Sequence, residues 1–214
     1  KAQIGVFEPH LAERYSKAVF LPDEGHLDPR ATLTKLHKRL SQKGVRFEDQ
    51  LAGQVIDCRG LAARDTLRDL RGVKGEMLVI RSPDVTLSRP VRLLHPRFPL
   101  YVVPRGNGVF MLGATQIETS ERGRATLRSI MELMNAAYAL HPSFGEAELL
   151  EIGVDARPAF PDNQPRIRSI GERIYVNGLF RHGFLLAPAV AQMTADLVLE
   201  GKIPEVWYED HRER

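Results

Sequence analysis

Two arginines and a tyrosine are the residues of this sequence best suited to bind a small carboxylate. Arg157 lies in Asp-Ala-Arg-Pro, where an apolar stretch ends, and Arg181 lies in a glycine-rich segment further on. A planar guanidinium matches a carboxylate through two parallel hydrogen bonds, and the hydroxyl of Tyr101, in Tyr-Val-Val-Pro-Arg, can add a third contact. The alternative for each residue alone is structural, with surface ion pairs for the arginines and a half-buried position for the tyrosine.

The glycine-rich segment, Gly178 to Pro188, reads Gly-Leu-Phe-Arg-His-Gly-Phe-Leu-Leu-Ala-Pro. It follows a short predicted strand, Arg173 to Asn177, and begins a predicted helix that runs to about Glu200. Its two glycines allow the backbone to approach a ligand closely. The unpaired N–H groups at a helix start favour an electron-rich ligand atom. The alternative is an ordinary strand–turn–helix corner with a solvated arginine.

Several other catalytic and ligand-binding patterns are missing from the sequence. The seven histidines are scattered without metal-ligand spacing, and there is neither a Gly-x-Ser-x-Gly nor a Gly-x-Gly-x-x-Gly pattern. Gly106-Asn107-Gly108 lies between two apolar runs and predicts a hairpin turn. We expect Cys58 to be a small buried hydrophobic residue rather than a nucleophile. The sequence therefore predicts no metal site and gives no residue a certain catalytic role.

Composition narrows the function classes further. The 214 residues are 43% hydrophobic and 27% charged, with a net charge of +3, and acidic residues are interleaved with basic ones. The absence of a basic stripe with aromatic platforms argues against nucleic-acid binding. No uninterrupted apolar run reaches the roughly 18 residues of a membrane span, and no signal segment opens the chain. A single cysteine fits a reducing compartment, so we expect the cytoplasm.

The elements that must position these residues fall into two kinds of layer. A helix is predicted from Asp28-Pro29 to Gly44, since Asp is a good N-cap and Gly ends helices. Strands are predicted at Ala18 to Pro22, Val45 to Phe47 and Gln54 to Asp57. The alternation of strand and helix favours parallel pairing in an α/β layer.

A dense strand region follows and favours an antiparallel sheet, because its strands are joined by short turns. The predicted strands are Glu76 to Arg81, Val91 to His95, Leu100 to Val103, Val109 to Leu112, Ala114 to Glu118 and Leu149 to Ala156. A helix is predicted from Arg122 to Leu140, with a core-facing side made of Leu127, Ile130, Met131, Met134, Ala137 and Tyr138. The tail from Ile203 is expected to pack on the surface.

The predicted fold is therefore α/β (α+β) in two parts. Residues 1–72 and 156–214 form segments of one α/β domain, and residues 73–155 form an antiparallel-sheet domain with a helix.

An ordered series of short motifs resembles the FAD-dependent amino-acid oxidase (DAO) family, and within it the glycine oxidases of thiamine biosynthesis. The motifs are Phe7-Glu8-Pro9, Gly25-His26-Leu27-Asp28-Pro29-Arg30, Val73-Lys74-Gly75-Glu76-Met77, Tyr101-Val102-Val103-Pro104-Arg105, Leu112-Gly113-Ala114-Thr115-Gln116, Ala156 to Pro165 and Gly178 to Pro188. The resemblance covers nearly the whole chain. It implies an incomplete Rossmann-like FAD domain plus an antiparallel-sheet substrate domain.

The resemblance also implies roles for individual residues. The substrate contacts would be Tyr101, Arg157, Arg181 and Gln116. The flavin contacts would be Leu179, Phe180, Arg181, His182, Gly183, Phe184 and Leu185. The implied reaction is oxidative deamination of glycine or a similar small amino acid, in which the amine becomes an imine, oxygen is the electron acceptor and hydrogen peroxide is released. The imine would feed thiazole formation in thiamine biosynthesis.

One departure from the family pattern matters, because the Gly-rich FAD fingerprint and its acidic partner are missing. We therefore expect this polypeptide alone to bind FAD poorly and to turn over little, as a fragment of the enzyme would. The alternatives are a D-amino-acid or sarcosine-type oxidase or dehydrogenase, or a non-catalytic carboxylate-binding remnant. An exposed apolar face would favour association of copies into a homo-oligomer.

Overall fold

A computed structural model describes residues 2–95 and 99–212, which form two compact units. The first unit consists of residues 1–28, 75–116 and 122–155, and the second of residues 29–74, 117–121 and 156–214. Residues 1–28 therefore belong with the larger sheet, whereas the sequence-based division grouped them with residues 29–72.

The described elements are four α-helices and nine strands. The helices are α1 (Ala2–Phe7), α2 (Pro29–Gln42), α3 (Leu127–Leu140) and α4 (Gly183–Glu200). The strands are β1 (Val55–Asp57), β2 (Arg71–Arg81), β3 (Val91–Leu93), β4 (Leu100–Gly106), β5 (Val109–Gly113), β6 (Glu148–Ala159), β7 (Arg166–Ile170), β8 (Arg173–Asn177) and β9 (Tyr208–Asp210). Three 3₁₀ helices cover Pro9–Leu11, Gly60–Asp65 and Pro142–Glu146. Parallel and antiparallel pairs both occur, so the fold is mixed α/β.

The larger sheet has the strand order β3-β4-β5-β2-β6. Three of its pairs, β3 with β4, β4 with β5 and β2 with β5, are antiparallel, as predicted. The β4–β5 turn is the predicted hairpin: Asn107 and Gly108 both have positive φ, which a two-residue turn of this kind requires. The core on this sheet includes Leu78, Val102 and Leu112, all almost fully buried.

Helix α3 packs on this core with a face that only partly matches the predicted one. Ala137 is buried and Ile130 packs against the core, as predicted. Leu133, Ala136 and Leu140 are also buried, whereas Leu127, Met131, Met134 and Tyr138 are exposed. The helix is apolar on both faces, so periodicity alone could not choose between them. It also begins five residues later than predicted, at Leu127, because Thr126 caps it by accepting a hydrogen bond from the N–H of Ser129. The predicted strand at Ala114 to Glu118 is wrong, since only Ile117 forms a bridge, with Lys74.

The smaller sheet has the strand order β1-β8-β7-β9 and lies in the second unit. Strand β1 pairs in parallel with β8, which lies far along the chain, and not with a strand next to helix α2 as the strand–helix alternation predicted; β7 and β8 are antiparallel. The predicted strands at Ala18 to Pro22 and Val45 to Phe47 are wrong, because neither segment is in a strand. Strand β7 was not predicted. The C-terminal tail forms β9, parallel to β7, rather than only packing on the surface.

Helix α4 is long and apolar enough, by length and composition alone, to cross a membrane. Its 18 residues have a mean hydropathy of 1.2, although polar residues such as Gln192 and Asp196 interrupt the apolar run. The core helix of a soluble protein passes the same test, but such a helix is mostly buried, whereas 11% of this one is buried. This helix contains no uninterrupted apolar run of membrane-spanning length, but its mean hydropathy over 18 residues identifies it as a candidate span.

Candidate functional site

The glycine turn between β8 and α4 is held by specific contacts on its N-terminal side. Gly178 has φ of +79°, and a Cβ atom there would lie 2.3 Å from Cδ2 of Phe160. Only glycine therefore combines this backbone conformation with this close approach. Asn177 secures the same point, because its side chain accepts a hydrogen bond from the N–H of Gly178 (2.8 Å) and donates one to the carbonyl of Gly60 (2.9 Å).

The same turn brings the two arginine-bearing segments together. The N–H of Phe180 donates to the carbonyl of Pro158 at 3.1 Å, so Arg157 and Arg181 each lie one residue outside a hydrogen-bonded backbone pair. Arg157 is half-buried and Arg181 is exposed. The structure thus places the two arginine-bearing segments next to each other within one unit.

Phe160, against which the turn packs, is itself fixed by a charged network. Its ring is almost fully buried, and the guanidinium of Arg168 lies 4.4 Å from the ring centroid. Arg168 donates to both carboxylate oxygens of Asp69, at 2.6 and 2.7 Å, and also to Glu209 on β9. The hydrogen bonds from Arg168 lower the pKa of Asp69 below its ordinary value. This support could not be predicted from the sequence, because it depends on contacts between distant segments.

The start of α4 lies open on the other side of the turn. His182 precedes the helix without a capping hydrogen bond from its side chain, and the first turn carries no acidic residue. A Cβ atom at Gly183 would meet nothing within 4 Å, and the side chains of Phe184 and Leu185 are exposed. An electron-rich oxygen could accept from the N–H groups here, beside apolar side chains that a flat ring could cover.

Tyr101 and Gln116 both lie in the first unit. Tyr101 on β4 is paired with Gly113 on β5, and a Cβ atom on Gly113 would come within 2.4 Å of the tyrosine Oη. The tyrosine ring therefore lies across the backbone of Gly113. Gln116 follows three residues later and is exposed.

Two further expectations concern reactive and metal-binding groups. The predicted burial of Cys58 is wrong: it follows the short strand β1, beyond the buried Asp57, and is exposed. Among residues 2–95 and 99–212, no three or more His, Cys, Asp or Glu residues are grouped so as to hold a metal ion.

Comparison with known proteins identifies the family of this chain. The family model described as FAD dependent oxidoreductase, DAO, matches residues 1–197. The chain belongs to the DAO family. A relative from Rhizobium etli, named as a thiamine biosynthesis oxidoreductase, ThiO, is 50% identical over 210 residues, which is 94% of this chain and 64% of that protein.

Glycine oxidases are further relatives within the DAO family. The glycine oxidase of Bacillus licheniformis is 31% identical over 64% of this chain and 37% of its own length. The crystal structure of glycine oxidase from Bacillus cereus superposes with a TM-score of 0.64 at 25% identity, over 75% of this chain and 49% of that one. The chain thus spans between about a third and two thirds of the relatives that it matches.

Membership of the DAO family implies FAD, and residues 179–185 fit one part of it. The uncapped start of α4, the open space at Gly183 and the exposed Phe184 and Leu185 suit the edge of a flavin ring. The Gly-x-Gly-x-x-Gly pattern that would hold the pyrophosphate does not occur in this sequence.

Proposed function

We propose that the full-length protein is a FAD-dependent oxidase of glycine or a similarly small amino acid that serves thiamine biosynthesis. The observation that carries the proposal is the 50% identity to a protein named ThiO across 94% of this chain. The similarity to glycine oxidases, in sequence and in fold, supports glycine as the substrate.

In this proposal, Arg157 and Arg181 hold the substrate carboxylate. Support comes from the Phe180–Pro158 hydrogen bond, which joins their segments within one unit. Within the first unit, Tyr101 and Gln116 are the residues to which the family resemblance assigns substrate contacts. A carboxylate fixed in this way orients the neighbouring amine-bearing carbon for reaction, which is the part of catalysis that positioning supplies.

Residues 179–185 would lie along the flavin, with Gly183 at the N-terminus of α4 nearest to it. FAD, when bound, would supply the oxidation of the substrate amine to an imine, with oxygen as the final acceptor and hydrogen peroxide as product. The N–H groups at the start of α4 would stabilise negative charge on the ring through hydrogen bonds and the helix dipole.

The test is peroxide release by the full-length protein with glycine, sarcosine and D-alanine. Replacement of Arg157 by alanine should raise KM for glycine about 30-fold or more, which corresponds to the lower end of the roughly 2–5 kcal/mol lost when one partner of a charged pair is removed. Arg173→Ala removes an exposed arginine of β8 in the same unit and is the matched control. An unchanged KM in Arg157→Ala would refute the carboxylate assignment.

The substrate comparison separates this proposal from its alternatives. A preference for D-alanine or sarcosine would identify a D-amino-acid or sarcosine-type enzyme, and carboxylate binding without peroxide release would identify a non-catalytic protein. The 214-residue polypeptide by itself should bind FAD weakly, since it lacks the pyrophosphate pattern. Visible absorption after incubation with FAD and gel filtration measures this, and a stable yellow polypeptide would contradict it.

A further inference from the structure

Glu76 on β2 is a buried acidic residue without a role in the function proposed above. Its side chain is 0% exposed, because it lies among the core residues of the larger sheet. A buried carboxylate is costly unless hydrogen-bond donors surround it. Its oxygens accept hydrogen bonds from the hydroxyl of Thr115, at 2.8 Å, and from the N–H of Thr126, at 3.3 Å.

The contacts between Glu76 and Thr115 are reciprocal and include both backbones. The N–H of Glu76 donates to the Thr115 hydroxyl at 2.8 Å, and the N–H of Thr115 donates to the Glu76 carbonyl at 3.1 Å. Three hydrogen bonds thus join one buried residue to the position immediately before Gln116. The fourth, to Thr126, reaches the capping residue of α3.

The residues fixed in this way adjoin the predicted substrate contacts of the first unit. Gln116 follows Thr115 directly, and Gly113, two residues before Thr115, carries the ring of Tyr101 against its backbone. A shift of the backbone at Thr115 would therefore displace both Gln116 and Tyr101. An apolar residue at position 76 would fill the same space but could not make the two side-chain contacts.

We propose that Glu76 is a positioning residue, which holds Gln116 and Tyr101 in place for the substrate by anchoring Thr115. The inference rests on the proposed function. The position requires acceptor oxygens, because the Thr115 hydroxyl and the Thr126 N–H both donate hydrogen bonds to the side chain. Glutamine retains one acceptor oxygen and should preserve most of the effect, whereas loss of the Thr115 hydroxyl should not be tolerated equally well.

The experiment compares three variants of the full-length protein. Thr115→Val removes the hydroxyl with little change in shape, and Glu76→Gln retains an acceptor. Thr119→Val is the matched control, because Thr119 accepts only a local hydrogen bond from the N–H of Glu121 among the contacts described and lies close by in sequence. Steady-state kinetics with glycine are combined with hydrogen exchange of peptides covering residues 113–116.

The expected result for Thr115→Val is faster exchange at residues 113–116 and a KM for glycine raised about tenfold, with kcat within about threefold. Glu76→Gln should change KM by less than about threefold, and Thr119→Val should behave as the unmodified protein. Faster exchange without a change in KM would refute the positioning role, and unchanged exchange would refute the anchoring contact itself.

The failure of this inference can be told apart from failure of the proposed function. If Arg157→Ala and Gln116→Ala raise KM while Thr115→Val does not, the substrate site stands and the positioning role of Glu76 is overturned. If none of the three changes KM, the substrate assignment is overturned. The positioning role of Glu76 is then overturned together with the substrate assignment. Any change in hydrogen exchange in Thr115→Val would show that the contact between Glu76 and Thr115 is purely structural.

Discussion

Replacement of Gly178 by alanine is the most direct test of how the glycine turn is built. The new Cβ atom would lie 2.3 Å from Cδ2 and 2.7 Å from Cε2 of Phe160, and 3.3 Å from the carbonyl oxygen of Gln164. The first two distances are far below van der Waals contact, so either the ring or the backbone must move. The ring has little freedom, because it is about 1% exposed and Arg168 covers it.

Two costs add in Gly178→Ala. A non-glycine residue at φ of +79° costs about 1–2 kcal/mol, and overpacking against Phe160 costs about 1–3 kcal/mol more. The expected loss in the free energy of unfolding is therefore about 2–5 kcal/mol, a large fraction of the roughly 5–15 kcal/mol that stabilises a typical domain. Because the turn carries Arg181, we also expect KM for glycine to rise in the full-length protein.

Gly171→Ala is the matched control, because Gly171 also lies in a turn of the second unit with positive φ, +55°, but a Cβ atom there would meet nothing within 4 Å. Urea unfolding of the two variants, followed by circular dichroism, measures the difference. Gly171→Ala should lose about 1–2 kcal/mol and Gly178→Ala clearly more. Equal losses would show that Phe160 moves aside at no cost, and would refute the close-packing argument.

Three further predictions concern stability and can be measured by the same unfolding assay. Burial, with additional effects from the charges of His10 and Arg14, lowers the pKa of His141 below its ordinary 6.5. The folded protein should therefore lose stability as the pH falls below 6.5. His141→Asn should reduce this loss of unfolding free energy between pH 7.5 and 5.5. Thr126→Ala removes the cap of α3 and should cost about 1 kcal/mol; no loss would contradict the capping role. Hydrogen bonds from Arg168 lower the pKa of Asp69. The Asp69–Arg168 pair therefore stabilises the protein at pH values above the ordinary 3.8, and this stabilisation is lost as the pH falls through the folded-state pKa. Asp69→Asn should cost about 1 kcal/mol at pH 7, since the carboxylate is partly exposed, and less at pH 3.

The parts of the fold that local signals specify were predictable from the sequence. The strand Arg173–Asn177 has the predicted bounds, and α2 ends at Gln42, two residues before Gly44, whose φ is +83°. Both elements are bounded by glycines with positive φ, a signal that acts within a few positions of the chain. The glycine turn was recognisable for the same reason.

The missed features depend on partners far along the chain. Strand β7 reads Arg-Ile-Arg-Ser-Ile, and its arginines are neutralised by Glu209 and by residues such as Asp69, which is 99 positions from Arg168. The contact between Glu76 and Thr115 spans 39 positions. No local sequence pattern indicates such distant pairs. The contacts that support the glycine turn and anchor Thr115 could therefore be identified only from the structure.

The parallel pairing of β1 with β8 has a consequence for synthesis of the chain on the ribosome. The side chain of Gln54 donates to the carbonyl of Glu172, a partner 118 residues further along, at the edge where these strands meet. At roughly 5–20 residues per second, β1 is translated roughly 6–24 s before its partner strand exists. Over that interval the nascent chain exposes an unpaired strand, and an exposed strand edge of this kind is prone to aggregation.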